Sequence, residues 1–223
     1  ALKKNAPFIK ANPKGISETA FSLKGTSFKY GKTKYNIRLL SACQPENAIC
    51  AIEALNVLKS YFNIEKKDIL KGLKDAYWPV RFEIVRDKPL LILDGAHNEA
   101  ASLKLKESLE LYFKDKTLVF IMGMLSDKDV ESVVSNTVKY ADNIICITPP
   151  NNKRALDKLE LARIVTEKGG RATTADSLSE ALWMAGMLAG ENPVIAFGSL
   201  SYMGELKRLI EKDNKNDNRK QRV

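Results

Sequence analysis

Runs of consecutive apolar residues set the rhythm of the second half of the chain. Leu90–Leu93 closes on Asp94-Gly95, Leu118–Met122 on Gly123, Ile144–Thr148 on Pro149-Pro150 and Val194–Phe197 on Gly198-Ser199. Between them, apolar positions recur at helical spacing, as in Ala101, Leu105, Leu109 and Tyr112. The pattern predicts helices from near Ser126, with Asp129 three residues on as a capping signature, over Leu156–Lys168 before Gly169-Gly170, and over Ser179–Ala189. A short strand is expected at Ala172–Thr174 and a last helix through Leu206–Ile210. Strands buried on both faces read as unbroken apolar runs, and their alternation with helices predicts a doubly wound, mostly parallel α/β domain. Ligands bind such sheets beyond the carboxyl ends of the strands. Asp94–Asn98, Gly123–Asp129 and Gly198-Ser199 fall on that edge.

The first part of the chain reads differently. Phe21–Tyr30 and Tyr35–Leu40 are rich in β-formers and flank Gly31–Lys34, which predicts a hairpin. Helices are expected over Pro45–Phe62, with Ala48, Ile52, Leu55 and Leu58 on one face, and over Lys67–Ala76. Pro79 then marks a boundary, because the residue before a proline is pushed out of the helical region.

Composition changes this picture only a little. The 223 residues are 44% hydrophobic and 28% charged, as in an ordinary globular protein, and hold no run of about 20 apolar residues that would span a membrane. Cys43, Cys50 and Cys146 are odd in number and scattered, which is neither a disulfide framework nor a zinc set and points to a reducing cytoplasm. The net charge of +9 is confined to the ends: +8 over residues 1–38 and +4 over 207–223, against −3 between them. With no aromatic interleaving, the basic ends are expected to be solvated, with a frayed tail from Lys212, and not to bind nucleic acid. The chain opens Ala1-Leu2-Lys3 and its first methionine is Met122, so a fragment of a longer protein is expected.

The candidate chemistry is sparse. Gly25 is followed by five residues, not four, before Gly31-Lys32-Thr33, and the stretch lies between two β-like runs, so it reads as a hairpin and not a phosphate loop. No Gly-x-Gly-x-x-Gly fingerprint follows any strand. His97, the single histidine, sits in the turn after a buried strand, where an imidazole can reach phosphate or carboxylate. Asp94 ends that strand; it suits a ribose diol, or a helix cap. Arg81 follows Trp78-Pro79-Val80 at the expected junction, and its planar fork suits phosphate oxygens, or a surface ion pair.

Taken together, the strings are more specific. Ile92-Leu93-Asp94-Gly95-Ala96-His97-Asn98 resembles the Asp-Gly-Ala-His-Asn signature of folylpolyglutamate synthases, including the bifunctional dihydrofolate synthases. Gly123-Met124-Leu125-Ser126-Asp127-Lys128-Asp129 resembles their Gly-Met-Leu-x-Asp-Lys-Asp segment. Gln44-Pro45-Glu46-Asn47-Ala48 and Trp78-Pro79-Val80-Arg81-Phe82-Glu83 resemble Gln-x-x-Asn-Ala and Trp-Pro-Gly-Arg-x-Glu. Lys153–Leu156 and Gly198–Glu205 follow in the family's order. The chain departs from the pattern at Ser41 and Cys43, where the family has Gly and His, and at Val80, where it has Gly.

The resemblance implies a ligase of the Mur type, in which ATP phosphorylates a folate or dihydropteroate carboxylate and the amine of L-glutamate displaces the phosphate. It implies nucleotide contacts from Asn47 to the base, Arg81 to phosphate and Asp94 to ribose, with His97 and Ser199 as catalytic positions lining the same cleft. The family's phosphate loop and its Mg²⁺ ligands have no counterpart here, so the expected partner is an N-terminal ATPase portion of the same protein, monomeric at full length. Residues 1–78 are then expected to end a central ATPase domain, 79–211 to form the Rossmann-like C-terminal domain, and 212–223 to be a basic tail. A free-standing nucleotide- or ligand-binding module without catalysis is the other expectation.

Overall fold

The computed structural model describes residues 8–220. The chain divides into two compact units, one ending at Trp78 and the other beginning at Pro79, each with its own sheet.

The first unit has a three-stranded antiparallel sheet, β1 (Ile16–Ser22), β2 (Gly25–Tyr30) and β3 (Thr33–Ile37), followed by α1 (Gln44–Leu58) and α2 (Lys66–Asp75). Tyr30 pairs with Thr33, so Gly31 and Lys32 are the two-residue turn of a hairpin. The expected strand Phe21–Tyr30 is in fact the end of β1, a turn at Leu23-Lys24, and β2. β1 went unread because nearly all of it is exposed and carries no apolar alternation. Phe28, Tyr35, Ile37, Ile49, Ile52 and Ile69 form the unit's core, with the Phe28 and Tyr35 rings stacked at 5.6 Å.

The second unit is a six-stranded sheet in the order β4-β5-β9-β6-β7-β8. Its strands are β4 (Glu83–Asp87), β5 (Leu90–Leu93), β6 (Leu118–Met122), β7 (Ala141–Cys146), β8 (Ala172–Thr174) and β9 (Val194–Phe197). All pairings are parallel except β4 with β5, which is antiparallel with Glu83 opposite Leu93. Helices α3 (Glu99–Phe113), α4 (Val130–Thr137), α5 (Lys158–Glu167), α6 (Leu178–Ala189) and α7 (Leu200–Lys220) complete it. Leu91, Leu93, Val119, Ile121, Val194 and Ala196 pack against α6 and α7. The alternate residues Ile92, Phe120, Ile195 and Phe197 are equally buried on the opposite face, where α4 contacts α3 and α5. The unit is thus the doubly wound, mostly parallel α/β fold, with one antiparallel edge strand.

Two local expectations give way. Helix α4 starts at Val130 with Asp129 as its cap, Oδ1 accepting from Ser132 N at 3.0 Å, while Ser126 Oγ bonds to the Arg154 carbonyl. Helix α7 runs through Lys220, where a frayed tail from Lys212 was expected. Asn214 accepts from Arg86 Nε at 2.9 Å and donates to the Val85 carbonyl at 3.0 Å, which ties the helix to the edge strand that the apolar pattern missed. Residues 221–223 of that expected tail lie outside the described residues.

Candidate functional site

Because β5, β9, β6, β7 and β8 run parallel, the segments that follow them all emerge on one edge. Val80–Phe82, leading into the antiparallel β4, reaches the same edge. Backbone bonds lace these segments together: Asp94 N to Ala196 O at 2.9 Å, Gly198 N to Ala96 O at 2.9 Å and Gly123 N to Phe197 O at 3.3 Å. Gly198 sits at φ +114°, and a Cβ there would lie 2.5 Å from the Gly123 carbonyl oxygen, so only glycine fits.

Asp94 is buried on this edge, just beyond β5, the second strand of the sheet. Its Oδ2 accepts from Phe82 N at 2.9 Å and its Oδ1 from Ala96 N at 2.8 Å. Burial raises its pKa above the ordinary carboxylate value, and the two backbone N–H groups and the nearby Arg81 charge oppose that rise without cancelling it. The helix cap that Asp94 was weighed against belongs to Asn98, whose Oδ1 accepts from Ala101 N at 2.9 Å.

Arg81 is exposed and forms no ion pair among the described residues. Its neighbours are left-handed, Val80 at φ +58° and Phe82 at φ +48°. Val80 N donates to Glu83 Oε2 at 2.9 Å, and Glu83 Oε1 accepts from Lys207 Nζ at 2.6 Å. His97 Nδ1 lies 2.8 Å from the Gly95 carbonyl. A carbonyl only accepts, so Nδ1 carries the proton and Nε2 is the nitrogen left for a ligand. Ser199 is buried and caps α7, its Oγ accepting from Ser201 N at 3.2 Å.

Arg81, Asp94, His97 and Ser199 therefore all belong to the carboxyl edge of the second unit, whereas Asn47 belongs to the first unit. Asn47 is exposed at the start of α1 and donates to Gln44 Oε1 at 3.3 Å. Ser41, just before that helix, has φ +93°. The two positions where the chain lacks the glycine of the resembled pattern, Ser41 and Val80, are thus both left-handed. Sequence reasoning passed over Glu83 and Lys207; Glu83 was legible as the last residue of the Trp-Pro-x-Arg-x-Glu string. The Asp127–Arg154 ion pair at 2.8 Å, joining the segments after β6 and β7, was also not foreseen. Among the described residues no three His, Cys, Asp or Glu side chains gather into a group that could hold a metal ion.

Residues 80–200 match the Mur ligase, glutamate ligase domain, and the chain belongs to that family. Within it the chain matches the C-terminal portion of the folylpolyglutamate and dihydrofolate synthases. It is 27% identical to a probable dihydrofolate synthetase of Schizosaccharomyces pombe, over 82% of this chain and 46% of that protein. It is 28% identical to the folylpolyglutamate synthase of Lacticaseibacillus casei, over 78% of this chain and 40% of that one. Among solved structures, Mycobacterium tuberculosis folylpolyglutamate synthase complexed with ADP and AMPPCP shares the fold, with a TM-score of 0.79 at 24% identity over 87% of this chain and 47% of that chain. Escherichia coli FolC in complex with DHPP and ADP gives 0.71 at 25% identity over 88% of this chain and 46% of that chain. The chain spans less than half the length of the curated relatives it matches.

Proposed function

We infer that the chain is the C-terminal portion of an ATP-dependent ligase that adds L-glutamate to folate, with dihydropteroate as a further acceptor substrate. The observation that carries this reading is the exposed guanidinium of Arg81. It is held between two left-handed residues beside the buried Asp94, on the carboxyl edge of a glutamate ligase domain. ADP accompanies the solved relatives, which favours a nucleotide as the ligand of that edge.

A carboxylate resists attack by an amine because it has no competent leaving group. Transfer of the γ-phosphoryl group of ATP to the folate carboxylate gives an acyl phosphate and ADP. The glutamate amine then attacks the carbonyl carbon, loses a proton and expels phosphate, forming the amide. Such transfer depends on positioned cations more than on covalent help from the protein. Arg81 supplies a planar, bidentate donor for phosphate oxygens. Asp94 keeps a second lone pair on each oxygen for a ribose hydroxyl. His97 Nε2 and Ser199 Oγ line the same edge as the catalytic pair. The phosphate loop and the Mg²⁺ ligands fall to an N-terminal ATPase portion, of which residues 1–78 form the end. No described helix is long and apolar enough to cross a membrane; a cytoplasmic monomer fits this reading.

The test is titration of the 223-residue chain with Mg²⁺-ADP, together with an assay for ATP turnover in the presence of folate and glutamate. Binding without turnover is the expected result. Turnover by this chain alone, free of contaminating ligase, overturns the assignment of the phosphate loop to another portion. Absence of binding overturns the nucleotide reading of this edge.

A further inference from the structure

The Val80–Phe82 loop holds a backbone that its own side chains disfavour. A β-branched residue and an aromatic one flank Arg81, both in the left-handed region, at φ +58° and +48°. Backbones of this kind persist only where their surroundings over-determine them, and they cluster where geometry serves function. The surroundings here are specific. Phe82 N is held by Asp94 Oδ2 at 2.9 Å, and Val80 N by Glu83 Oε2 at 2.9 Å. Glu83 is anchored in turn by Lys207 Nζ at 2.6 Å, with the two side chains 13% and 23% exposed. Lys207 stands on α7, the helix capped by Ser199, so the last helix of the chain reaches back to the loop that bears Arg81.

The geometry points to Glu83 and Lys207 as positioning residues that keep Val80 left-handed, next to the Phe82 that Asp94 holds, and so aim the Arg81 guanidinium at nucleotide phosphate. This assignment rests on the proposed role of Arg81 as a phosphate contact. Glu83 uses one carboxylate oxygen for each of two donors. Glutamine in its place has a single acceptor oxygen and sets an amide N–H against one of them. Glycine at position 80 adopts a positive φ without steric cost, so it makes the clasp dispensable.

Mg²⁺-ADP affinity is measured for the parent chain and for Arg81→Ala, Glu83→Gln, Lys207→Met and Val80→Gly/Glu83→Gln, each checked for folding by its thermal transition. Arg81→Ala and Glu83→Gln are expected to weaken ADP binding by about tenfold, and Lys207→Met by less. The double variant is expected to return to within about twofold of the parent. A purely structural role would lower the melting temperature without that rescue, and loss of affinity that glycine does not restore overturns the assignment. So does a folded Glu83→Gln with parental affinity while Arg81→Ala has lost it. If Glu83→Gln does not fold, Lys207→Met decides by the same criterion. Unchanged affinity in Arg81→Ala instead overturns the phosphate reading on which the assignment rests.

Discussion

Replacing Asp94 by alanine tests the physical centre of the second unit. The carboxylate accepts from Phe82 N at 2.9 Å and Ala96 N at 2.8 Å, and both donor residues are buried. Alanine leaves two backbone N–H groups without acceptors, each at a cost of about 1–3 kcal/mol. The release of a carboxylate from an unfavourable buried position offsets part of that, leaving a net loss of about 3 kcal/mol. For a unit of this size the loss corresponds to a fall of about 6–12 °C in melting temperature. The pH dependence has a definite sign. Burial holds the folded pKa above the ordinary 3.8, so the folded state keeps the proton longer than the unfolded chain does. The parent therefore loses stability as pH rises from about 4 through the folded pKa, and is flat above it. Alanine lacks this component, so the gap between parent and variant narrows over that window. Thermal melts followed by circular dichroism at several pH values, with hydrogen exchange at the Phe82 and Ala96 amides, give the comparison. A fall below about 2 °C with both amides still protected refutes the reasoning.

Gly198→Ala places a Cβ 2.5 Å from the Gly123 carbonyl oxygen at φ +114°, and should cost about 3 kcal/mol or more in a denaturant titration. In the full-length enzyme, Arg81→Lys keeps the charge but loses the fork, and kcat/KM for ATP should fall about 30- to 1000-fold with the melting temperature nearly unchanged. Kinetics within about twofold of the parent end the claim that Arg81 is a site residue. If Asp94 contacts ribose, the parent prefers ADP to 2′,3′-dideoxy-ADP and Asp94→Asn erases that preference; an undiminished preference in the variant confines Asp94 to its backbone role.

Three of the buried strands were legible in the sequence to the residue, whereas the run expected at Ile144–Thr148 is β7 at Ala141–Cys146, whose first half carries the polar Asp142 and Asn143. Leu90–Leu93, Leu118–Met122 and Val194–Phe197 are apolar throughout because both faces of the sheet are covered. Glu83–Asp87 escaped notice because an edge strand is only half-buried, and its Glu, Arg and Asp break the apolar run. Ser126 and Asp129 have the spacing of a capping box, yet the Arg154 carbonyl takes the backbone N–H and hydroxyl of Ser126, leaving Asp129 to cap α4. The candidate residues Asp94, His97 and Arg81 stand out by their places at a strand end, a turn and a junction, and Asn47 and Ser199 only by the strings. What the strings hid was the structural duty of each one. Asp94 clasps two backbone amides, Ser199 caps α7, and Val80 bears a backbone that suits glycine. Glu83 and Lys207 stand 124 residues apart, and no local pattern joins them.

The most direct measurement follows the product of the full-length enzyme supplied with ATP, Mg²⁺, a folate acceptor and L-glutamate. The account predicts ADP release that requires both acceptor and glutamate, with mass spectrometry showing one glutamate residue added per ADP formed. ADP release indifferent to glutamate, or an acceptor recovered unchanged, would contradict it.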